Sequence, residues 1–382
     1  MAIRPLPYFQ VRGTIYEKQL ATELRKDFIP VVKRRLPYHH LSGFDNTTVT
    51  GFVKRYKEEY PYFFRADIAC FYPTLPHREA MVELQMAYKG LLGLPYVPKR
   101  FKQKYLKPLS DWFASLPCVR GIPIGSSLSA IVSALVLMPL WLELKKMPGV
   151  KFIVYMDDIL VLGKSEGEIA ECYQVINHHL DTQLQLHLNE RKTHSGRLSL
   201  EEVHYCGWSF KGGYARISME KIAAFKTRFL DAVKQSRRKP IRSFIKRVNR
   251  KIDGFGNYYK HGSVGKQFEE LDGFIRKELR GYLKRYYHGA VGGTLTNQRF
   301  VELGFHSLLN SYRRAKGNAA VKQPRPPRSI TLPAPARNDT GFGEQTLVEI
   351  RNLLEKVVAQ QKLMLSMQRR GLAQLGVNLH KL

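Results

Sequence analysis

Two adjacent carboxylates, Asp157 and Asp158, lie inside the run Phe152-Ile153-Val154-Tyr155-Met156-Asp157-Asp158-Ile159-Leu160-Val161-Leu162. Apolar, β-branched segments on both sides read as two strands joined by a tight turn, with Met156 and Asp157 at its tip. Burial of both strands would hold the turn rigid and project the carboxylates at a fixed place. Hard divalent cations take oxygen ligands of this kind. Paired Mg²⁺ ions roughly 3.5–4 Å apart are the usual device for in-line phosphoryl transfer, and one hairpin cannot hold both. A third carboxylate must come from another strand. Phe63-Phe64-Arg65-Ala66-Asp67-Ile68-Ala69-Cys70-Phe71-Tyr72-Pro73 offers one: an aromatic, apolar strand, then Asp67, then paired aromatics. Taken alone, Asp67 would be a helix cap and the acidic pair an ordinary turn. Taken together, they point to catalysis.

Tyr155-Met156-Asp157-Asp158 resembles the catalytic hairpin of reverse transcriptases, and Asp67 with Tyr72 resembles the first polymerase motif of that family. The resemblance implies a metal set of Asp67, Ile68, Asp157 and Asp158 for two Mg²⁺ ions, with Mn²⁺ able to substitute. It also implies that Tyr72, with Phe71 beside it, packs under the incoming dNTP sugar and excludes a ribose 2′-OH by steric clash.

The loop Gly121-Ile122-Pro123-Ile124-Gly125-Ser126-Ser127-Leu128-Ser129-Ala130 leads into an apolar helix from Ile131 to Leu142 and resembles the second motif. Its small residues let backbone approach a nucleotide or template base closely, so Ile124 and Gly125 join the nucleotide-binding set. Ile124 stands where group II intron and retroviral enzymes carry Gln, and Ala130 where group II intron enzymes carry Pro. An aliphatic residue at the first position resembles diversity-generating retroelement enzymes and the bacterial defence-associated, abortive-infection-like group. Loss of an amide near the template implies relaxed fidelity.

Leu184-Gln185-Leu186-His187-Leu188-Asn189-Glu190-Arg191-Lys192-Thr193 resembles the fourth motif. There Lys192 either protonates the leaving pyrophosphate or neutralises phosphate charge. Val203-His204-Tyr205-Cys206-Gly207-Trp208-Ser209-Phe210 reads as one strand with a central Gly and resembles the primer grip, formed here by Cys206, Gly207 and Trp208. Ile245 to Tyr259 and Leu271 to Arg280 resemble the thumb of group II intron maturases, so the likeness covers roughly residues 50–315.

Composition names a partner. The 382 residues carry 62 Lys and Arg against 32 Asp and Glu, a formal net charge of +30. Residues 211–330 hold 28 of the basic and 8 of the acidic groups, so 20 of the 30 net positive charges fall there. Phosphate neutralisation dominates nucleic-acid affinity, and aromatics interleaved with the cations can stack on bases. Arg247, Arg250, Lys251, Tyr258, Tyr259, Lys260, Lys284 and Arg285 are the expected RNA-binding residues.

The four cysteines have no Cys-x-x-Cys spacing, so neither a zinc site nor a disulfide framework is indicated. Without a signal core or an apolar run long enough to span a bilayer, a cytoplasmic protein with no membrane partner is expected.

These readings assemble into an α+β right-hand polymerase. Fingers are expected over 1–60, a palm with an antiparallel sheet over 61–210 and a basic helical thumb over 211–315. Pro139 should kink the palm helix running to Lys145. A Pro-rich linker over 316–343 and a C-terminal helix over 344–382 follow. In that helix Leu347, Ile350, Leu354, Val357 and Met364 keep heptad spacing, interrupted at Gln361. It is expected to pair with a second copy or an accessory protein.

The function implied is RNA-directed DNA polymerisation, in which the primer 3′-OH attacks the α-phosphate of a dNTP, with a structured non-coding RNA as template and DNA as product. The chain looks most like a reverse transcriptase of bacterial antiviral defence; a diversity-generating retroelement enzyme is the runner-up, because Ala130 stands where that class carries Gln. A maturase-like RNA-binding scaffold without polymerisation is the alternative from another class. No ribonuclease H, HNH endonuclease or protease constellation is evident in the sequence.

Overall fold

A computed structural model describes residues 15–45, 47–236, 240–287 and 294–317. The expected Pro-rich linker and C-terminal heptad helix lie outside the described residues, apart from Lys316 and Gly317. The chain opens with α1 (Ile15–Arg35) and α2 (Thr48–Tyr56), then β1 (Tyr62–Asp67), the single turn α3 (Phe71–Thr74) and α4 (His77–Leu92). The short α5 (Lys99–Phe101) runs through a π-helical turn into α6 (Lys107–Ala114). Next come α7 (Ser127–Val136), α8 (Met138–Leu144), β2 (Val150–Tyr155), β3 (Asp158–Gly163), α9 (Glu166–His179) and β4 (His194–Arg197). A meander of β5 (Val203–Tyr205), β6 (Trp208–Lys211) and β7 (Tyr214–Ile217) leads to α10 (Met219–Lys234), α11 (Ile241–Tyr259) and α12 (Gly265–Tyr286). The described part closes with α13 (Asn297–Glu302) and α14 (Leu308–Ala315).

The central sheet is antiparallel with strand order β2-β3-β1-β4. Successive side chains in a strand face opposite ways, and here both faces are buried. Phe64 and Ala66 of β1, Val154 of β2, and Ile159 and Val161 of β3 enter one core with α1, α4, α7, α8 and α9. Their neighbours Phe63, Ile153, Leu160 and Leu162 enter a second core with the β5–β7 meander and α10–α12. Double burial explains why these strands read as continuous apolar runs rather than alternating ones.

α11 and α12 are amphipathic. Phe244, Ile245, Val248 and Ile252 line the buried stripe of the first, and Phe268, Leu271, Ile275, Leu279 and Tyr282 that of the second. Polar anchors fix their partners: the Asp272 carboxylate accepts bonds from Ser307 Oγ and from the Leu308 and Leu309 amides at the start of α14.

α1 buries Leu20, Leu24, Phe28 and Val32 in the same core as α7 and the sheet. Two expectations change. The palm helix starts at Ser127, capped by Ser126, and Pro139 divides it into α7 and α8 at Leu137 rather than kinking it. The stretch Ser127–Leu144, with mean hydropathy 1.8, is long and apolar enough to cross a membrane, against expectation. It is 72% buried inside the protein, where α1, α4 and the sheet surround it.

Candidate active site

The Met156–Asp157 turn forms as its residues suggest. β2 ends at Tyr155 and β3 begins at Asp158, with these two in register and Met156-Asp157 between them. Met156 takes φ +60°, a left-handed conformation that disfavours side chains. Three contacts hold the hairpin. The Met156 amide donates to His40 Nδ1 at 3.1 Å, and the Val154 amide to the Tyr38 carbonyl at 3.0 Å. The Tyr205 hydroxyl, fully buried beneath the hairpin, lies 3.1 Å from the Ile153 carbonyl and 3.0 Å from that of Asp158, and shares its proton between them.

Asp67 pairs in register with Asp158, which puts both at one end of the sheet beside the turn. The Asp67 carbonyl accepts from the Asn189 amide at 2.7 Å, and the Ala69 amide donates to His187 at 2.9 Å. These two bonds bracket Ile68, whose own carbonyl takes part in neither. They also bring the Leu184–Thr193 segment alongside, so that Lys192 Nζ donates to Asp67 Oδ2 at 2.8 Å.

Asp158 is gripped by Arg65. The guanidinium donates Nε to Oδ1 and Nη2 to Oδ2, both at 3.2 Å, while Nη1 reaches the Lys192 carbonyl at 3.1 Å. Burial pushes the Asp158 carboxyl up to about 6 against the opposing pull of Arg65, and the Asp67 and Asp157 charges push the same way as burial. Asp157 is also raised, first by burial and then by the field of Asp67. Burial and neighbouring negative charge, which raise Asp157 and Asp158, make an anionic corner that a divalent cation would relieve, and carboxylate oxygens are the donors a hard cation takes. Asp67 and Asp157, with Asp158 adjacent, would hold such an ion. Among the described residues no three His, Cys, Asp or Glu side chains converge as a ready-made metal cluster.

Of the residues expected to meet the nucleotide, Tyr72 is half-buried, with its hydroxyl 3.2 Å from Ser133 Oγ and its phenol raised by burial and then by the Asp157 charge. Phe71 is 2% exposed and packs in the core, which removes it from the nucleotide site. Ile124 is 42% exposed on the loop ahead of α7. Beside it, Gly125 takes φ +89°, a conformation that favours glycine.

The expected primer grip is two strands, not one. Cys206 (φ +48°) and Gly207 (φ +80°) form the turn between β5 and β6. Thumb helix α11 fastens this turn: Tyr258 donates its hydroxyl to the Cys206 carbonyl at 3.0 Å, and Tyr259 to that of Gly207 at 3.4 Å. A Cβ on Gly207 would lie 2.8 Å from the Tyr259 hydroxyl. Trp208 is fully buried behind the turn, its ring 4.9 Å from that of Tyr259, so its side chain packs behind the expected grip.

A cleft of about 1320 Å³ runs from Tyr155 and Asp158 past the Cys206–Gly207 turn to α10 and α11. Lys221, Arg228, Arg250 and Lys251 give it positive walls. Of the expected RNA-binding residues, Arg250, Lys251, Tyr258 and Tyr259 line this cleft, and Tyr259 is buried with its ring against Trp208 instead of facing a base. Arg247, Lys260, Lys284 and Arg285 are not in its lining: Arg247 bonds Gln235, Lys260 bonds Asn257, and Lys284 and Arg285 lie in the last turn of α12.

Sequence reasoning missed Arg65, His40 and Tyr205. Arg65 was within reach, because it stands two residues before Asp67 on the same strand and so shares its face. His40 lies 116 residues from its partner, and no local pattern joins the two.

Burial of the neighbouring histidines has a consequence in acid. His40 is lowered to about 4, and His39 is lowered well below its usual range, both chiefly by burial. Between about pH 6.5 and 4 the unfolded chain binds the proton that folded His40 refuses. His40 therefore makes stability fall as pH drops through that window, by up to about 3 kcal/mol. Asp158, raised in the folded state, acts in the opposite sense. Comparing urea unfolding of wild type and His40→Gln at pH 7.5 and 4.5 isolates the histidine: the variant should show the shallower acid loss, and equal losses would contradict this account.

Known proteins bear on this geometry. A family model described as reverse transcriptase (RNA-dependent DNA polymerase) matches residues 2–210, and one described as group II intron, maturase-specific domain matches residues 222–295. No curated protein matches the chain. Among solved structures, apo telomerase from Candida Tropicalis is similar at 10% identity and TM-score 0.45, over 81% of this chain and 52% of that one. A Sicinivirus 3Dpol RNA-dependent RNA polymerase is similar at 13% identity and TM-score 0.33, over 50% and 44%. The chain spans about half the length of these structures. The first family model covers more than half of the 382 residues and takes in Asp67, Asp157, Asp158 and Lys192. The chain belongs to the reverse transcriptase (RNA-dependent DNA polymerase) family.

Proposed function

We infer that this protein polymerises DNA on an RNA template, with Asp67, Asp157, Asp158 and Lys192 at the reacting centre. The observation that carries this reading is the pairing of Asp67 opposite Asp158, beside a turn that presents Asp157, with Tyr72 near enough for the Asp157 charge to raise its phenol. A primer 3′-OH laid over the Cys206–Gly207 turn attacks the α-phosphate of a dNTP resting on Tyr72 and the Ile124–Gly125 loop. Bound Mg²⁺, or Mn²⁺ in its place, would lower the pKa of that hydroxyl and offset phosphate charge. Lys192 stands ready to leave Asp67 and neutralise the departing pyrophosphate, or to give it a proton. Tyr72 selects deoxyribose by occupying the space a 2′-OH would need.

The template is inferred to be a dedicated structured non-coding RNA, held in the positive cleft between the sheet and α11. The match of 222–295 to the maturase-specific domain and the +30 charge support an RNA partner of this kind. Ile124, in place of Gln, supports a defence-associated enzyme first and a diversity-generating retroelement enzyme second. The maturase-like match also favours one competing reading, an RNA-binding scaffold that does not polymerise.

Sequencing the nucleic acid that copurifies with wild type and with Asp157→Ala, after adding Mg²⁺ and dNTPs, separates these. DNA complementary to one bound RNA, present only with wild type, is the expected result. Bound RNA without DNA in either sample would favour the scaffold. The cleft carries its own prediction: Arg250→Gln with Lys251→Gln should lower the salt slope of RNA binding by about 1.5, at roughly 0.7–0.9 per lost phosphate contact. Fluorescence anisotropy across a salt series reads this, and an unchanged slope would place the RNA elsewhere.

A further inference from the structure

The segment that carries the Ile124–Gly125 loop is fastened to the segment that carries Tyr72. The Gly121 amide donates to the Leu75 carbonyl and the Ile122 amide to the Tyr72 carbonyl, both at 2.8 Å. One side chain beside these bonds has a wider reach. Half-buried Arg120 donates Nε to the Thr74 carbonyl at 3.1 Å, at the end of α3 and two residues after Tyr72. Its other nitrogens serve a different partner: Nη1 donates to Gln185 Oε1 and Nη2 to the Gln185 carbonyl, both at 3.1 Å.

Gln185 is where the Leu184–Thr193 segment turns toward the reacting centre. It takes φ +49° directly after the π-helical turn Leu180–Leu184. From there the chain runs beside the end of β1, through the His187 carbonyl on the Ala69 amide and the Asn189 amide on the Asp67 carbonyl, to Lys192. All three acceptors of Arg120 are neutral oxygens, so the guanidinium acts here through the fixed directions of its planar fork. A lysine ammonium, one nitrogen on a flexible stem, cannot span both partners.

We propose that Arg120 is a positioning residue for the nucleotide: it locks the Tyr72 turn, the Gly121–Ser126 loop and the start of the Lys192 segment into one frame, and so sets how closely Tyr72 guards the sugar. This deepens the polymerase reading and rests on it. Arg120 lines a separate recess of about 620 Å³ with His77, Phe113 and Val119 and is absent from the lining of the positive cleft, so its effect passes through the residues it holds. The loop keeps its path without it. The His77 amide still donates to the Val119 carbonyl at 3.2 Å, His77 Nε2 lies 2.7 Å from the Gly121 carbonyl, and the Gly121 and Ile122 amide bonds are untouched. What goes is the lock between the loop and Gln185.

The test uses the full chain in single-nucleotide extension of a primer on an RNA template, with dGTP and GTP as substrates. Arg120→Ala should raise the dGTP KM about tenfold and narrow the preference for dGTP over GTP about fivefold, with kcat within about threefold of wild type, because a displaced loop misplaces the nucleotide while the reacting groups stay. A side chain that served stability alone would lower the amount of active enzyme and leave KM and the preference unchanged. Arg120→Lys should behave as Arg120→Ala does. Gln185→Gly removes Oε1 at a φ that glycine adopts freely, and should shift the same two quantities in the same direction by about twofold. Circular dichroism checks that each variant is folded. Folded Arg120→Ala with the KM and preference of wild type overturns the proposal while leaving the polymerase reading in place, and so does full activity in Arg120→Lys. Should Arg120→Ala not fold, Gln185→Gly with both quantities unchanged overturns it instead. Wild type that extends no primer overturns the polymerase reading and the proposal with it.

Discussion

Asp157→Asn should reduce primer extension on an RNA template by 10³-fold or more while leaving the protein folded. The substitution keeps the shape of the side chain and removes the charge that a divalent cation needs. A thousandfold loss corresponds to about 4 kcal/mol of transition-state stabilisation, within what a cation at a reacting phosphate supplies. Folding should be spared for a physical reason. Burial holds the Asp157 carboxyl above its ordinary range, so the charged form is disfavoured in the folded state and a neutral amide relieves that penalty. Steady-state extension of a labelled primer, with thermal unfolding in parallel, reads both effects. Extension within tenfold of wild type would remove Asp157 from the chemistry.

Tyr72→Ala should raise incorporation of ribonucleotides relative to deoxyribonucleotides by about 10²-fold. The ring is held from two sides, by the Ser133 hydroxyl at 3.2 Å and edge-on by Phe71 with centroids 5.8 Å apart. A ring fixed in this way cannot yield to a 2′-OH, and a steric clash or a pocket mismatch of this size is worth roughly 1–3 kcal/mol of discrimination. Ser133→Ala should loosen the ring and relax selectivity by less, because Phe71 and the core still support it. Competition between GTP and dGTP in single-nucleotide extension measures the ratio. An unchanged ratio in Tyr72→Ala would mean that another group guards the sugar.

Much of the site was legible because its parts are local. The Tyr155–Asp158 turn and Asp67 are each framed by apolar residues of their own strands, so spacing alone placed them, and register brought them together. The reading failed where a side chain can serve either solvent or core. Phe71, Trp208 and Tyr259 are aromatic residues next to functional ones, and residue type does not say which way a ring turns. All three turn inward. Tyr258 and Tyr259 line the positive cleft, and their hydroxyls hold the Cys206–Gly207 turn, a contact 52 residues away in the chain. His40 and Tyr205 share that difficulty, since their partners lie far off in sequence and only the folded sheet brings them within reach.

The two-sided burial of β1 and β3 bears on how this sequence can change over time. In a sheet with one wet face, every second position is free to drift, and a substitution map shows a beat of two. Here Phe63 and Phe64, or Leu160 and Val161, answer to different cores, and each is nearly or fully buried. A saturation scan of these strands should find no permissive parity. Descendants of this chain are then expected to diverge in the exposed helix faces and loops, while the strands beneath the catalytic corner stay almost still.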